Sequence, residues 1–506
     1  MSESAVAGNE RIVDVLHALA SRAEATGVRE LAHALDASRS TVNRILLGLQ
    51  EHGLAAVTGS GNYQVGPRLR VLAAALHARH PLLRNAETII ERLGEESDAT
   101  VLVAVHDAPR PSVVVVACRR RPGPIKYLLE PGTVLPLHAG ATGRAILGRL
   151  GINALGDRPL TAATPDTVIN RAELEKLLQE DRKAGYTISV GQQFPLAAGV
   201  AASFYCEGLT GSVSITRPRF LTSDEDLVRF GPMVQDAAHA IEAKCALPQS
   251  PENPEPIGNP AGSTALVRII KLVTALVAGP SGITMGPALA RRIGANIATT
   301  NRLVSTAVAT GLALAQGDTL HPGPRLFHWA ARLGATVDVP SAAQPILHDL
   351  AQESGETIGL IQFHTDTKHA VMTTVIDGVQ PLHYGLASGV AIPLHAGAGG
   401  KAILAHCPPD ELDKLALEPL TERTQTNRDA LADDLRSIRE RGWATGNGER
   451  IPDAFGVSAP YFINGAIAGS ITATVSRLRL PDLDVEALAH MVQRAAQRLT
   501  LLLSVP

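Results

Sequence analysis

The sequence predicts an α+β protein built twice on one plan. Each copy opens with short helices and a hairpin, then continues into an antiparallel sheet flanked by helices. Three observations predict this. Leu135–Leu147 (LPLHAGATGRAIL) returns as Ile392–Leu404 (IPLHAGAGGKAIL), with His138 standing 257 residues before His395. Within each copy the hydrophobic period changes from helical to runs of β-branched residues between helices. Charge divides along the same line, as set out below. Gly132 and Gly389, Gly66-Pro67-Arg68-Leu69 and Gly323-Pro324-Arg325-Leu326, and Gly185-Tyr186 and Gly442-Trp443 keep the same step. Asn43-Arg44 and Asn301-Arg302 stand one residue further apart, which implies a small insertion. A period this long belongs to modules that fold by themselves, not to a solenoid.

The elements of the first copy follow in order. Ile12, Val15, Leu16 and Leu19 stripe a first helix, and Leu31, Ala32 and Leu35 mark a short second one. Asp36-Ala37-Ser38 is a tight turn with helix-starting chemistry. Val42, Ile45, Leu46 and Leu49 stripe a third helix, leaving Arg39, Ser40, Asn43 and Arg44 facing outward until Gly53 ends it. Ala55–Val57 and Tyr63–Val65 flank a Gly-Ser-Gly-Asn turn that reads as a β-hairpin. Three helices and a hairpin make a winged helix-turn-helix. A helix follows over Pro67–His77. Beyond it the pattern predicts helices at Leu83–Leu93, His138–Leu147, Arg171–Ala184 and Asp224–Ala243. Strands are expected at Thr100–His106, Ser112–Cys118, Val200–Tyr205 and Gly211–Thr216. The proline-rich, polar segment 246–262 reads as the linker between copies.

Composition bounds the function. The net charge of −3 hides a division. Residues 11–79 carry eight Arg and Lys against five Asp and Glu, and residues 263–333 carry seven against one, leaving −12 for the remainder. A basic module beside an acidic body suits a protein that touches phosphates with one part only. Aromatic residues are 3% of the chain, which disfavours a stacking platform for single strands and favours duplex DNA. No apolar run is long enough for a membrane span, and the first residues lack the blocks of a signal peptide. Cys118, Cys206, Cys245 and Cys407 are scattered without metal spacing, so neither metal nor cofactor is expected and a reducing cytoplasm is the expected compartment.

Three stretches carry a resemblance. They are Glu30-Leu31-Ala32 through Arg44-Ile45-Leu46 to Gly53-Leu54, the Leu-Pro-Leu-His-Ala-Gly segment with its continuation, and Ala184-Gly185-Tyr186 through Gly199-Val200-Ala201-Ala202 to Gly211–Thr216. In this order, twice, they resemble the isocitrate-lyase-regulator (IclR) family of bacterial transcription factors. The resemblance implies a winged helix-turn-helix followed by a GAF-like effector-binding domain, over 8–68 and 82–245 in the first copy and 263–325 and 339–504 in the second. It implies operator DNA and a small organic-acid effector as partners, with a homodimer of the tandem chain as a further expectation. Copy two departs in its DNA module. Ile297-Ala298 replace Arg39-Ser40, and the wing shrinks to Gln316-Gly317-Asp318-Thr319. Copy one has Ala201-Ala202-Ser203 where the family usually has Ala-Ala-Pro. Ser189–Gln193 and Gly446–Arg450 stand where family members usually carry acidic residues.

The third helix of such a module enters the major groove. Arg39 and Arg44 suit guanine or phosphate, Asn43 suits adenine, and Ser40 and Thr41 suit phosphates. Thr299, Thr300, Asn301 and Arg302 are the candidates in the second copy. The Gly-Ala-Thr-Gly run after His138 begins a helix whose bare N–H groups suit a carboxylate. Carried over from the family, the effector-contacting candidates are Ala141, Thr142, Ser212 and Ser214, and in the second copy Ala398, Gly399, Ser470 and Thr472. His138 and His395 recur without a nucleophile or carboxylate at fixed spacing, so they read as structural. The rival classes are a small-molecule-metabolising enzyme with a vestigial DNA module and a co-regulator acting through protein contacts. A repeated nucleophile–base pair or a metal-ligand cluster would support the enzyme, and the repeat carries neither.

Overall fold

The computed structural model describes residues 3–122, 129–246, 264–279, 281–380 and 384–505. Apart from Ala246, the expected linker lies outside these. The first copy opens with α1 (Glu3–Ala20), α2 (Val28–Ala34) and α3 (Arg39–Glu51). The hairpin β1 (Ala55–Val57) and β2 (Tyr63–Val65) and helix α4 (Pro67–Arg79) follow. Helix α3 starts where Ser38 caps it, its hydroxyl accepting from the Thr41 N–H at 3.2 Å. Val42, Ile45, Leu46 and Leu49 are buried, as their spacing requires.

The sheet domain comprises α5 (Pro81–Ser97), β3 (Thr100–His106), β4 (Ser112–Arg119), β5 (Val134–Pro136), α6 (Gly140–Leu150), α7 (Arg171–Ala184), β6 (Thr187–Val190), β7 (Ala197–Cys206), β8 (Leu209–Pro218) and α8 (Asp224–Cys245). The strands form one antiparallel sheet in the order β5-β4-β3-β8-β7-β6. Helices α5 and α8 pack on the sheet and on each other, and α6 packs on β7 and β8. Edge strands β5 and β6 were not among the sequence expectations; at three and four residues they are too short to show a period. The structure also joins Cys206 at the end of β7 to Cys245 at the end of α8 in a disulfide, a pairing the scattered sequence positions did not suggest.

The second copy repeats the plan. Its winged module has α9 (Ala265–Ala278), β9 (Ile283–Thr284), α10 (Pro287–Ile293), α11 (Ile297–Thr310), β10 (Ala313–Gln316), β11 (Thr319–Pro322) and α12 (Pro324–Leu333). Its sheet domain has α13 (Val339–Ser354), β12 (Thr357–His364), β13 (His369–Ile376), β14 (Val390–Ile392), α14 (Gly397–Leu404), α15 (Asp410–Lys414), α16 (Arg428–Arg441), β15 (Ala444–Asn447), β16 (Ala454–Ile463), β17 (Ala466–Ser476) and α17 (Val485–Leu503). The strand order β14-β13-β12-β17-β16-β15 matches that of the first sheet.

Contacts divide the chain not at the proline-rich segment but after Thr336. One unit holds both winged modules and the first sheet domain; the other is Val337–Val505, the second sheet domain. Within the first unit, α4 packs on α12 and α9, and α1 packs on α11 and α12. Trp329 of α12 is 2% exposed, and its indole N–H donates to His17 Nδ1 of α1 at 3.3 Å. Arg325 pairs with Asp14 at 3.0 Å, and the His77 ring N–H reaches the Ala330 carbonyl at 2.9 Å. Phe327 lies edge-on to His80, which caps α5. The two modules thus bury their first and last helices against each other, as two protomers of a symmetric dimer would.

Candidate functional site

Helix α3 presents Arg39, Ser40, Asn43 and Arg44 outward, all exposed, with Thr41 half-buried. The Ser40 and Thr41 hydroxyls lie 3.0 and 2.9 Å from the Ser38 cap hydroxyl. Arg39, Asn43 and Arg44 have no side-chain partner among the described residues, so three polar groups with duplex-reading chemistry point to solvent. Leu47, 52% exposed one turn further on, extends this face with an apolar group suited to a thymine methyl. Its place outside the apolar stripe was the available signal. In α11, Asn301 and Arg302 are exposed and Thr299 is half-buried, with Arg302 donating to its hydroxyl at 3.4 Å. Thr300 is a correction. It takes the buried position of Val42, is 1% exposed, and bonds its hydroxyl to the Asn296 carbonyl at 2.9 Å, so it faces the core.

The sheet domains each form a cleft at the start of the helix that follows the repeated His-Ala-Gly. In the first, a cleft of about 40 Å³ is lined by Gly140, Ala141 and Thr142 of α6, by Gln192 and Gln193, and by Thr216. Ser212 and Ser214 are buried behind Thr142. The Ser212 hydroxyl donates to the Thr142 carbonyl, and the Ser214 and Thr142 hydroxyls pair, each at 2.9 Å. The structure therefore brings all four candidates together, with the two serines holding α6 to the sheet. In the second copy Ala398, Gly399 and Thr472 line a cleft of the same volume. Ser470 lies behind, donating to the Gly399 carbonyl at 3.1 Å, and Thr472 pairs with Ser458 at 2.8 Å.

A buried cation sits on each helix. Arg144, 2% exposed, pairs with Asp181 at 2.7 Å and donates to Gln192 Oε1 at 2.9 Å. Burial raises the Asp181 carboxyl above its ordinary value, while the Arg144 guanidinium pulls the other way. Lys401 takes this place in the second copy, 2.8 Å from Asp434 and 2.7 Å from Glu449, and Glu449 also accepts from the Gly397 N–H at 2.9 Å. His138 donates to the Thr161 carbonyl at 3.0 Å and His395 to the Glu418 carbonyl at 2.9 Å. Both tie the helix start to the loop that follows it. Among the described residues no cluster of His, Cys, Asp and Glu could hold a metal, and no helix is long and apolar enough to cross a membrane.

Winged helices joined to sheet domains with a small cleft define a duplicated DNA-binding, ligand-responsive regulator. Comparison with known proteins gives its family. The bacterial transcriptional regulator IclR C-terminal profile matches residues 74–243 and again 333–501, and the IclR helix-turn-helix profile matches residues 10–58. The chain belongs to the IclR family of transcriptional regulators, in tandem arrangement. It is 30% identical over 246 residues to the HTH-type transcriptional regulator BhcR of Paracoccus denitrificans, covering 47% of this chain and 87% of that one. It is 28% identical over 219 residues to the transcriptional repressor IclR of Escherichia coli, covering 42% and 80%. A crystal structure of an IclR transcriptional regulator from Alicyclobacillus acidocaldarius aligns with a TM-score of 0.43 at 22% identity, over 48% of this chain and 98% of that one.

Proposed function

We propose that one chain does the work of a dimer of ordinary family protomers: α3 reads one half-site of a duplex operator and α11 docks on the other. The observation that carries this is the solvent-facing set Arg39, Asn43 and Arg44 on α3, with Asn301 and Arg302 repeated on α11. Ile297-Ala298 remove a guanine contact and a phosphate contact from the second helix, so the operator is imperfect and asymmetric. Copy one supplies most of the specificity, while copy two, with its larger excess of cations, supplies mainly phosphate attraction.

A small organic acid bound beside Ala141 and Thr142, or beside Ala398, Gly399 and Thr472, biases the placement of the winged modules. It changes operator affinity by its differential affinity for the two arrangements. The protein acts in the cytoplasm, as expected of a regulator that binds chromosomal DNA. The test is binding of the full chain to its own promoter region at two salt concentrations. A sequence-preferring complex that weakens steeply with salt is expected. No such complex, or one indifferent to sequence, sinks the reading.

A further inference from the structure

Three turns of the first sheet domain rest on the winged module of the second copy. The β3–β4 turn sets the Ala108 carbonyl against Gly311, the left-handed glycine that closes α11; a Cβ there would lie 2.6 Å from that oxygen. Asp107 fixes the shape of this turn, accepting from Arg110 at 2.8 and 2.9 Å and from Ser112 at 3.0 Å. The turn before β5 seats Gly132 on α12. A Cβ on Gly132 would collide with the Arg332 side chain, and the Gly132 backbone meets the buried His328 ring. The β7–β8 hairpin turns on Glu207 and Gly208, both left-handed, against His321 of β11. Glu207 Oε2 lies 3.7 Å from His321 Nδ1, and a Cβ on Gly208 would stand 3.6 Å from the same ring. Helix α12 packs on β4 as well. Among the described residues no helix or strand of this domain packs comparably on α2, α3 or the β1–β2 hairpin of its own copy.

The same turns border the first cleft. Leu129 and Leu135, both buried and both lining it, flank the turn that carries Gly132. That turn is tied within itself and to β4. The Thr133 N–H donates to the Glu130 carbonyl at 2.9 Å, the Gly132 N–H to the Val115 carbonyl at 2.7 Å and the Val115 N–H to the Thr133 carbonyl at 2.9 Å. A group that enters between the two leucines and α6 therefore displaces the turn as a body, and Gly132 is its tip. Gly208 lies four residues before Ser212, whose hydroxyl holds the Thr142 carbonyl at the cleft wall. On the receiving side the Arg325 N–H donates to the Gly311 carbonyl at 2.9 Å, which ties the start of α12 to the end of α11. Packed contacts of this kind yield little and pass displacement on.

Resting on the reading of the cleft beside Ala141 as an effector site, we propose that this cleft acts crosswise: its occupancy moves α11, the recognition helix of the other copy, more than α3 of its own. The first-copy effector then adjusts the half-site that is held mainly by phosphate attraction. Operator affinity changes, while the base contacts of Arg39, Asn43 and Arg44 stay as they are.

Coupling between two sites is reciprocal, so the duplex itself serves as the probe. Hydrogen exchange of the full chain, read by mass spectrometry, is compared with and without saturating promoter duplex. Exchange in the peptide over Leu129–Leu135 should change by about fivefold or more on binding. Asn301→Ala with Arg302→Ala should remove that response, whereas Asn43→Ala with Arg44→Ala should keep it; all four side chains are exposed, so the fold is not at stake. Arg332→Ala, with a thermal midpoint near the parent's, should bind the duplex and lose most of the response. An unchanged peptide in the bound parent overturns the proposal. So does a response that the α3 pair of substitutions removes and the α11 pair leaves. Ala141→Trp, which fills the cleft, tests the underlying reading separately. If it leaves promoter affinity at the parent value while the α11-dependent response persists, the coupling stands and the effector reading of the cleft fails.

Discussion

Acid should loosen the unit that holds the winged modules, because two histidines in it, the fully buried His80 and the half-buried His17, are held in neutral form. Burial lowers His17 to about 2, with Arg325, His328 and Arg110 adding to the effect, and lowers His80 to about 3, chiefly by burial. The reason is visible in the contacts. His17 Nδ1 accepts from the Trp329 indole and His80 Nδ1 accepts from the Leu82 N–H, both inside the packing of α1, α12 and α5. In the unfolded chain both rings titrate near 6.5. Below that value the unfolded state binds more protons than the folded one. Stability is therefore full above pH 6.5 and falls as pH drops toward the folded values. The loss is about 1.4 kcal/mol per pH unit for each ring, hence about 2 kcal/mol each and about 4 kcal/mol together at pH 5. That is a large part of a domain's usual stability of about 5–15 kcal/mol. The chain has two tryptophans, so Trp443→Phe leaves Trp329 as the only indole reporter. Urea unfolding followed by its emission should show a midpoint roughly 1–2 M lower at pH 5 than at pH 7. His17→Asn with His80→Asn keeps an acceptor at each place and should remove most of that shift. An unchanged midpoint in the parent, or the same shift in the double variant, would refute the reasoning.

Other outcomes follow from the same contacts. Asn43→Ala should weaken operator binding by about 1–3 kcal/mol and Asn301→Ala by clearly less; equal losses, or a footprint with symmetric half-sites, would remove the asymmetry. Arg39→Ala and Arg44→Ala should each cost about 1–3 kcal/mol if they read bases, and should instead flatten the salt dependence if they touch phosphates, as anisotropy titrations at several salt concentrations would show. Asp14→Asn leaves the buried Arg325 guanidinium without its anion. It should cost about 1–2 kcal/mol in the same urea assay, discounted because Asp14 is partly exposed.

The duplication, the striped helices of the first winged module and the outward set Arg39, Asn43 and Arg44 were legible in the sequence. Each depends on residues within a few turns of one another, or on plain repetition. The strands in the middle of each sheet were legible for the same reason, since β-branched runs mark them. The ends of the sheets were not. Strands β5 and β6 exist because longer neighbours pair with them, and three or four residues hold no pattern of their own. Thr300 looked like a contact by residue type, yet the phase of α11 turns it into the core.

What only the tertiary structure decided lies in pairs distant along the chain. Asp14 meets Arg325 and His17 meets Trp329, so the second winged module belongs with the first copy rather than with its own sheet domain. Cys206 meets Cys245, Ser212 and Ser214 close on Thr142, and Glu449 and Asp434 converge on the buried Lys401. Hydrophobic period and turn chemistry are local and can be read from neighbours in sequence. The balance of a buried charge is set by every group the fold brings within a few ångströms, and neighbours in sequence do not reveal it.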